Sequence, residues 1–401
     1  MLTCVLLAWP GLQQGSDAPR DWIEPATGHR VVRLSDQPGT ASLYFHQNPY
    51  TARGDMMVVS TPSGLATIAL PPTPGGAVTP LVSGRASHLV VGRKTRQAYY
   101  IQNGTVFGID LDTRIARTIS ADARLRSGSG FGLSADELTL AGSFVEEGAA
   151  VPPRSTNPPA NPLATPPPTG SSLEARWAAR LPMALYTLHV KTGELKIVHR
   201  ANDWLNHVQM SPTDPTMIMF CHEGPWHKVD RIWTIRTDGS DRRLMHARTM
   251  EMEIAGHEFF SADGKTIWYD LQTPKYKVFW LAGVEIAGGR TTRYPLQREH
   301  WSVHFNQSPD GSLFAGDGGG PKSVAAPGNG QWIYLFRPGS SRRNGVEAAT
   351  LEVERLVDLS KHDYQLEPNV TFTPDNRWIV FRSNMHGATH VYAVEVAVAR
   401  N

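Results

Sequence analysis

Apolar residues along the chain come in short runs broken by polar turns, and helical periodicity is scarce. The stretch "EMEIAGHEFFSADGKTIWYDL", residues 251–271, shows the recurring phrase: an apolar strand, a turn at Ser261–Ala262–Asp263–Gly264, and a second strand from Thr266 to Tyr269. A gap and a third strand follow. Similar turn marks stand at "TARGD" (51), "GRKT" (92), "SADE" (134), "SPTD" (211), "SPDG" (308) and "TPDN" (373). Most are about 40–50 residues apart, a period that in an all-β chain indicates a propeller of four-stranded blades. Asp-Gly turns suit it, because tight turns between adjacent strands need a residue that tolerates positive φ.

The expected fold is therefore all-β: a seven-bladed β-propeller, with six and eight blades as alternatives. After "TPDN" come "RWIVFRS" and "HVYAVEVAV", three strands' worth of last blade. The early strand "HRVVRLS" (29–35) can supply the fourth, so pairing of the N- and C-terminal strands closes the ring and removes a free sheet edge. One propeller domain is expected over 21–401, with a Pro-rich insertion at about 146–173 whose prolines forbid helix and ladder pairing. "LEARWAARL" (173–181) is the best helical candidate. Residues 1–20 read as a degenerate leader or a disordered start. The first reading implies a periplasmic protein and the second a cytoplasmic one.

Composition narrows the class. With 40% hydrophobic and 19% charged residues over 401 positions, the chain can bury a large core. A net charge of +2 without any basic run gives no sign of a nucleic-acid partner, and no apolar stretch has the length of a membrane span. Two cysteines, Cys4 and Cys221, argue against a disulfide framework, and Cys221 reads as a buried free thiol. Nothing bears on oligomeric state.

The innermost strand of each propeller blade lines the central channel, and its residues precede the turn marks. Those positions carry His46, His207, His257, His304 and, in the last blade, Glu367 and Asn369. One such histidine is read most simply as a polar residue facing channel water. Five blades with polar groups at one phase point to a site on the axis. Connections add His222, His227, Asp230 and Arg231 in "CHEGPWHKVDRIW", Gln297 to His300 in "LQREHW", and His362 and Gln365 in "KHDYQLEPN". No zinc-finger or HExxH spacing is present, and a mixed His/Glu/Asn set suits Mn2+ or Ca2+ better than a thiolate metal. There is no GxSxG elbow, and "GDGGGP" (316–321) reads as a wide turn. Trp226, Trp280, Trp301 and Tyr364 can stack on sugar rings or fill the core.

The stretches "CHEGPWHKVDRIWTIRTDG", "RTMEMEIAGHEFFSADGKTIWYDLQTP", "HWSVHFNQSPDGSLFAGDGG" and "LEPNVTFTPDNRWIVFRSNMHG" resemble the oligogalacturonate lyase family of pectin-degrading polysaccharide lyases, and "DWIEPATGHRVVRLSDQPGTASLYFHQNPYT" resembles its N-terminal blade. The resemblance implies a seven-bladed propeller and metal-assisted β-elimination on short α-1,4-linked galacturonides, yielding unsaturated or keto-deoxy uronates. It implies His257 as base, Arg231 beside it, and a divalent ion, Mn2+ foremost with Ca2+ or another as alternative, held by His304 with Glu367, Asn369 and Gln365. Glu367 and Asn369 stand where some members carry histidines, which puts the metal's identity and affinity at issue. His46, His207, His222, His227 and Arg382 are the expected substrate contacts. Two other readings stand beside it: a lyase for a different uronide, and a non-catalytic propeller that binds polyuronate. The acids Glu251, Glu253 and Glu258 around His257 are expected to raise its pKa or to face solvent.

Overall fold

A computed structural model describes residues 19–146, 172–320, 331–343 and 346–398. Most of the Pro-rich insertion and all but the end of the possible leader lie outside the described residues. Seven antiparallel sheets form a propeller ring, each running outward from its innermost strand in chain order except the one that closes the ring. Blades 2 to 6 have four strands each, starting at Ser87–Val91, Gly128–Leu133, Trp204–Met210, Ile254–Phe260 and Phe305–Gln307. Blade 1 has three, Met56–Thr61, Gly64–Ala69 and Thr79–Ser83; its inner place is taken by the segment around Ala41 and Tyr50, joined through two isolated bridges. Blade 7 closes the ring: His29–Arg33 pairs with His390–Val398, Val31 opposite Val394, and Asp21–Ile23 adds a fifth, outer strand.

The turn marks have a common chemistry. In Ser134/Asp136, Ser261/Asp263, Ser308/Asp310 and Thr373/Asp375 the hydroxyl donates to the carboxylate at 2.6 Å. That carboxylate accepts the amide two residues on, and the hydroxyl oxygen accepts the amide of the residue five positions after it, at or next to the start of the following strand. The residue after each Asp has positive φ: Glu137, Gly264, Gly311 and Asn376. Such locally closed turns are why Ser/Thr and Asp recur there.

Seven apolar clusters each join two neighbouring blades, for example Phe259, Trp268 and Phe279 of blade 5 with Phe305, Phe314 and Tyr334 of blade 6. Burial between blades, rather than one central core, therefore holds the ring. Trp301 belongs to this packing and not to the surface. The helix forms at Ser172–Ala178, within the connection between the second and third strands of blade 3. Trp177 from it lies over Gly224, where a Cβ would come within 2.7 Å of the indole. Among the described residues no helix is long and apolar enough to cross a membrane.

Candidate active site

A repeated backbone device aims side chains at the axis. The inner strands of blades 2, 4 and 5 each carry a bulge, between Ser87 and Val90, Asn206 and Gln209, and Gly256 and Phe259. In each, a histidine takes left-handed φ: His88 at 55°, His207 at 47° and His257 at 48°. Asn369, on the inner side of blade 7, does the same at 55°. A non-glycine residue in that region costs about 1–3 kcal/mol, which makes these positions candidates for function.

His257 is buried at the start of its hairpin, and its Nδ1 lies 3.0 Å from Oδ1 of Asp270 on the paired strand. Burial works to lower the His257 pKa, but the Asp270 charge and its hydrogen bond together outweigh it and the value ends above the ordinary imidazole one. Gly256 precedes it because Trp226 and Asp270 leave no slack there: a Cβ would sit 3.0 Å from the indole and 3.3 Å from the carboxylate. Trp226 meets the His257 ring edge-on at 5.0 Å. The acids adjacent in sequence do other work. Glu253 accepts from Thr249 and pairs with His246, Glu251 is exposed, and Glu258 binds Arg231.

His304 faces His257 with ring centroids 4.6 Å apart. Its Nδ1 is 2.7 Å from Asp317, which also accepts the backbone amides of His304 and Asn369. Burial pushes the Asp317 carboxyl up to about 7 and drives His304 well below the imidazole value, so His304 is held neutral. With Nδ1–H directed at Asp317, Nε2 is the acceptor; it is buried, has no hydrogen-bond partner, and stands 3.7 Å from Oε2 of Glu367.

The third cluster centres on Arg231, fully enclosed beneath Trp226. Its Nε donates to Glu258 at 3.0 Å and its Nη1 to Glu223. Burial alone would lower the Arg231 pKa, but the Glu223 and Glu258 carboxylates hold it well above its ordinary value. Against burial, Arg231 and His207 hold both Glu223 and Glu258 below the usual carboxylate range. His207 Nε2 is 3.0 Å from Glu223. Tyr44 spans the clusters, its ring 5.1 Å from His304, 5.8 Å from His207 and 4.9 Å from His46. Burial, then Glu367, raises its phenol pKa well above the ordinary one.

Of the residues singled out in the sequence, His46, His207, Arg231, His257, His304, Glu367, Asn369 and Arg382 come together here. Asn369 spends its amide on structure, accepting from the Phe45 amide and donating to the Glu367 carbonyl. Arg382 donates to the Glu367 and Ser42 carbonyls. Burial, then His207, drives His46 well below the imidazole value. Gln365 is exposed on its loop. His222 points to the other face of its strand, stacked on Trp233 at 4.9 Å, with burial lowering its pKa to about 4. His227 lies in the following loop, its carbonyl accepting from Arg248. Sequence reading missed Asp270, Asp317, Glu223 and Tyr44. A signal existed for two of them: in blades 5 and 6 the aspartate follows its histidine by 13 residues, the same phase of two repeats.

Among the described residues two groups offer donors for a cation. His304 Nε2 and the Glu367 carboxylate fit one, because the ring nitrogen is buried without a partner and its other nitrogen is oriented by a carboxylate, the usual arrangement behind a metal-binding histidine. His207, Cys221 and Glu223 place donor atoms within 4.8 Å of one another. There, however, Glu223 already has the Arg231 cation, and burial keeps the Cys221 thiol protonated.

Residues 177–399 match the family model described as oligogalacturonate lyase, a span that begins in the helix and includes blades 4 to 6 with the clusters above. The chain is 28% identical to an oligogalacturonide lyase of Pectobacterium atrosepticum and 29% identical to an oligogalacturonate lyase of Dickeya dadantii, each over 232 residues. These alignments cover 53% of this chain and 55% of each relative, so the match spans about half the length of the curated relatives. Two solved structures share the fold along almost the whole chain. An oligogalacturonate lyase in complex with manganese superposes with a TM-score of 0.74 at 21% identity, covering 95% of this chain and 96% of that one. The oligogalacturonate lyase of Vibrio parahaemolyticus gives 0.75 at 20% identity, covering 94% and 96%.

Proposed function

The chain belongs to the oligogalacturonate lyase family, and on that premise we propose that it cleaves short α-1,4-linked galacturonides by β-elimination. The observation that carries this reading is the facing pair His257 and His304, each backed by its own aspartate, with opposite protonation tendencies. The C5 proton of a galacturonate is α to a carboxylate and weakly acidic. Its removal needs a base near neutral pKa and stabilisation of charge growing on the carboxyl oxygens.

His257 is the base. Asp270 fixes its Nδ1–H tautomer, so Nε2 takes the proton, and the same carboxylate stabilises the imidazolium that results. Arg231 is held rigidly beside the base by Glu223 and Glu258, and among the described residues its Nη2 makes no hydrogen bond, so its charge would offset the negative charge growing on the substrate carboxylate. Trp226 lies against both residues and offers an apolar wall that keeps water from the base. Tyr44, a phenol kept protonated and without a hydrogen-bond partner among the described residues, would give a proton to the departing C4 oxygen. A divalent ion, Mn2+ by analogy with the manganese-bound neighbour, would be held by His304 Nε2 and Glu367 and would offset the negative charge of the substrate carboxylate.

The test is incubation with oligogalacturonides, following the ultraviolet absorbance of the 4,5-unsaturated product with and without EDTA. Product formation that stops in His257→Ala supports the assignment. Binding without product would favour the non-catalytic polyuronate-binding propeller, and product only from another uronide would change the substrate.

A further inference from the structure

A cavity of about 320 Å3 lies on the propeller axis, at the lower end of the size range of small-molecule sites. It is reached from the face that carries the Ser-x-Asp turns, opposite the face where the inner strands begin, and it ends against Phe45 and His46. Phe131, Phe259 and Phe372 give it an aromatic wall. Two cations belong to its lining, Arg93 and Lys94 of the blade 2 turn. Neither the Arg93 guanidinium nor the Lys94 ammonium makes a hydrogen bond or ion pair among the described residues. Glu137 is the one carboxylate of the lining, and its oxygens are already occupied by the Lys94 amide at 2.6 Å, the Thr95 amide at 3.0 Å and the Thr95 hydroxyl.

Arg93 and Lys94 are both exposed residues of the turn that lines the cavity mouth, so their charged ends are free to meet a ligand there. A guanidinium without a protein partner gains from a bound anion, since it presents a planar fork matched to a carboxylate. The rings of the wall suit a ligand with a compact body rather than a bare ion.

We propose that this axial cavity binds a small organic carboxylate with a body of about one sugar ring, gripped by Arg93 and Lys94. This site is separate from the histidine clusters. His46 lies between them, forming the end of the cavity on one side and packing on Tyr44 on the other. An occupant would therefore sit one side-chain layer from the reacting groups.

Isothermal titration of the whole chain with D-galacturonate tests it, with galactose as the same ring lacking the charge and inorganic phosphate as a charge lacking the ring. Galacturonate is expected to bind, galactose not to bind, and phosphate to bind more weakly. The Arg93→Ala/Lys94→Ala double variant is expected to lose galacturonate binding while keeping wild-type turnover of oligogalacturonide. Arg93→Gln, close in shape, decides the same question if the double variant folds poorly. Absent binding in the wild type, binding that survives these substitutions, or phosphate binding as tightly as galacturonate would overturn the proposal. Failure of the lyase reading would show instead as absent product in the wild type, leaving the binding result intact.

Discussion

Asp270 and Asp317 occupy the same place in successive blades, each one strand outward from a histidine, His257 or His304, whose Nδ1 it binds. The same pairing has opposite consequences. Asp270 raises the His257 pKa, whereas Asp317 is so enclosed that its own pKa climbs to about 7 and His304 is left neutral. The two repeats thus hold their histidines toward opposite protonation states.

His257→Ala is expected to lower kcat on oligogalacturonide by about 10²–10⁴, the usual contribution of a positioned general base. His222→Ala, which removes a ring stacked on Trp233 away from the site, should leave turnover at the wild-type level. Initial rates of unsaturated product for the two variants check both. Full activity in His257→Ala would remove the base assignment.

Arg231 is expected to matter for folding as well as turnover. Arg231→Met leaves Glu223 and Glu258 buried without their cation, and loss of one partner of a buried ion pair costs about 3–5 kcal/mol. Arg231→Lys should also destabilise, because an ammonium cannot span two carboxylates as the guanidinium fork does. Urea denaturation measures the effect. The same carboxylates give an acid limb. Their folded pKa values lie below the ordinary value of 4.5, so their stabilisation is fully present above that pH and is lost as pH falls below it. Melting temperature should therefore drop from pH 5 downward, and less steeply in Glu223→Gln.

Much of this arrangement was legible in the chain because the scaffold repeats locally. A Ser or Thr and an Asp two residues on close the same turn in each blade that has them, so the marks could be read without knowing the ring. Ring closure followed from His29–Arg33 pairing with the last strand. Blade 1 was less clear, since its inner segment joins the sheet through bridges rather than a ladder. In the site, His207, His257 and His304 were found by phase. Their carboxylates were not, because Asp270 sits inside a strand, and Asp317 directly after one, that otherwise reads as apolar. Proximity in sequence misled for Glu258 and His222: along a strand successive side chains take opposite faces. Glu258 consequently serves Arg231, and His222 turns away from Glu223.

Metal binding should depend on His304 and what stands behind it. His304→Ala is expected to abolish measurable Mn2+ binding by titration calorimetry. Asp317→Asn should weaken it about 10–100-fold, the usual cost of losing the partner that orients a ligating histidine. Cys221→Ser should leave it unchanged, since Glu223 in that second group already has Arg231. Loss of Mn2+ binding in Cys221→Ser alone would relocate the ion to the His207 group.

The last expectation concerns the proton on His257. Its raised pKa means that the neutral imidazole, the form able to accept a proton, builds up only above the ordinary imidazole value of 6.5. The acid limb of kcat/KM should therefore lie above that pH. Asp270 is the largest influence raising it, so Asp270→Asn should shift both the limb and the histidine's titration to lower pH. The variant's base would then be neutral earlier but weaker, and free to take either tautomer, so its plateau rate should fall even as its acid limb improves. NMR titration of the histidine ring protons in chelator-treated protein reads the pKa apart from any metal, and the pH–rate profile reads its consequence. An Asp270→Asn variant with an unmoved His257 titration would show that the carboxylate positions the ring without tuning it.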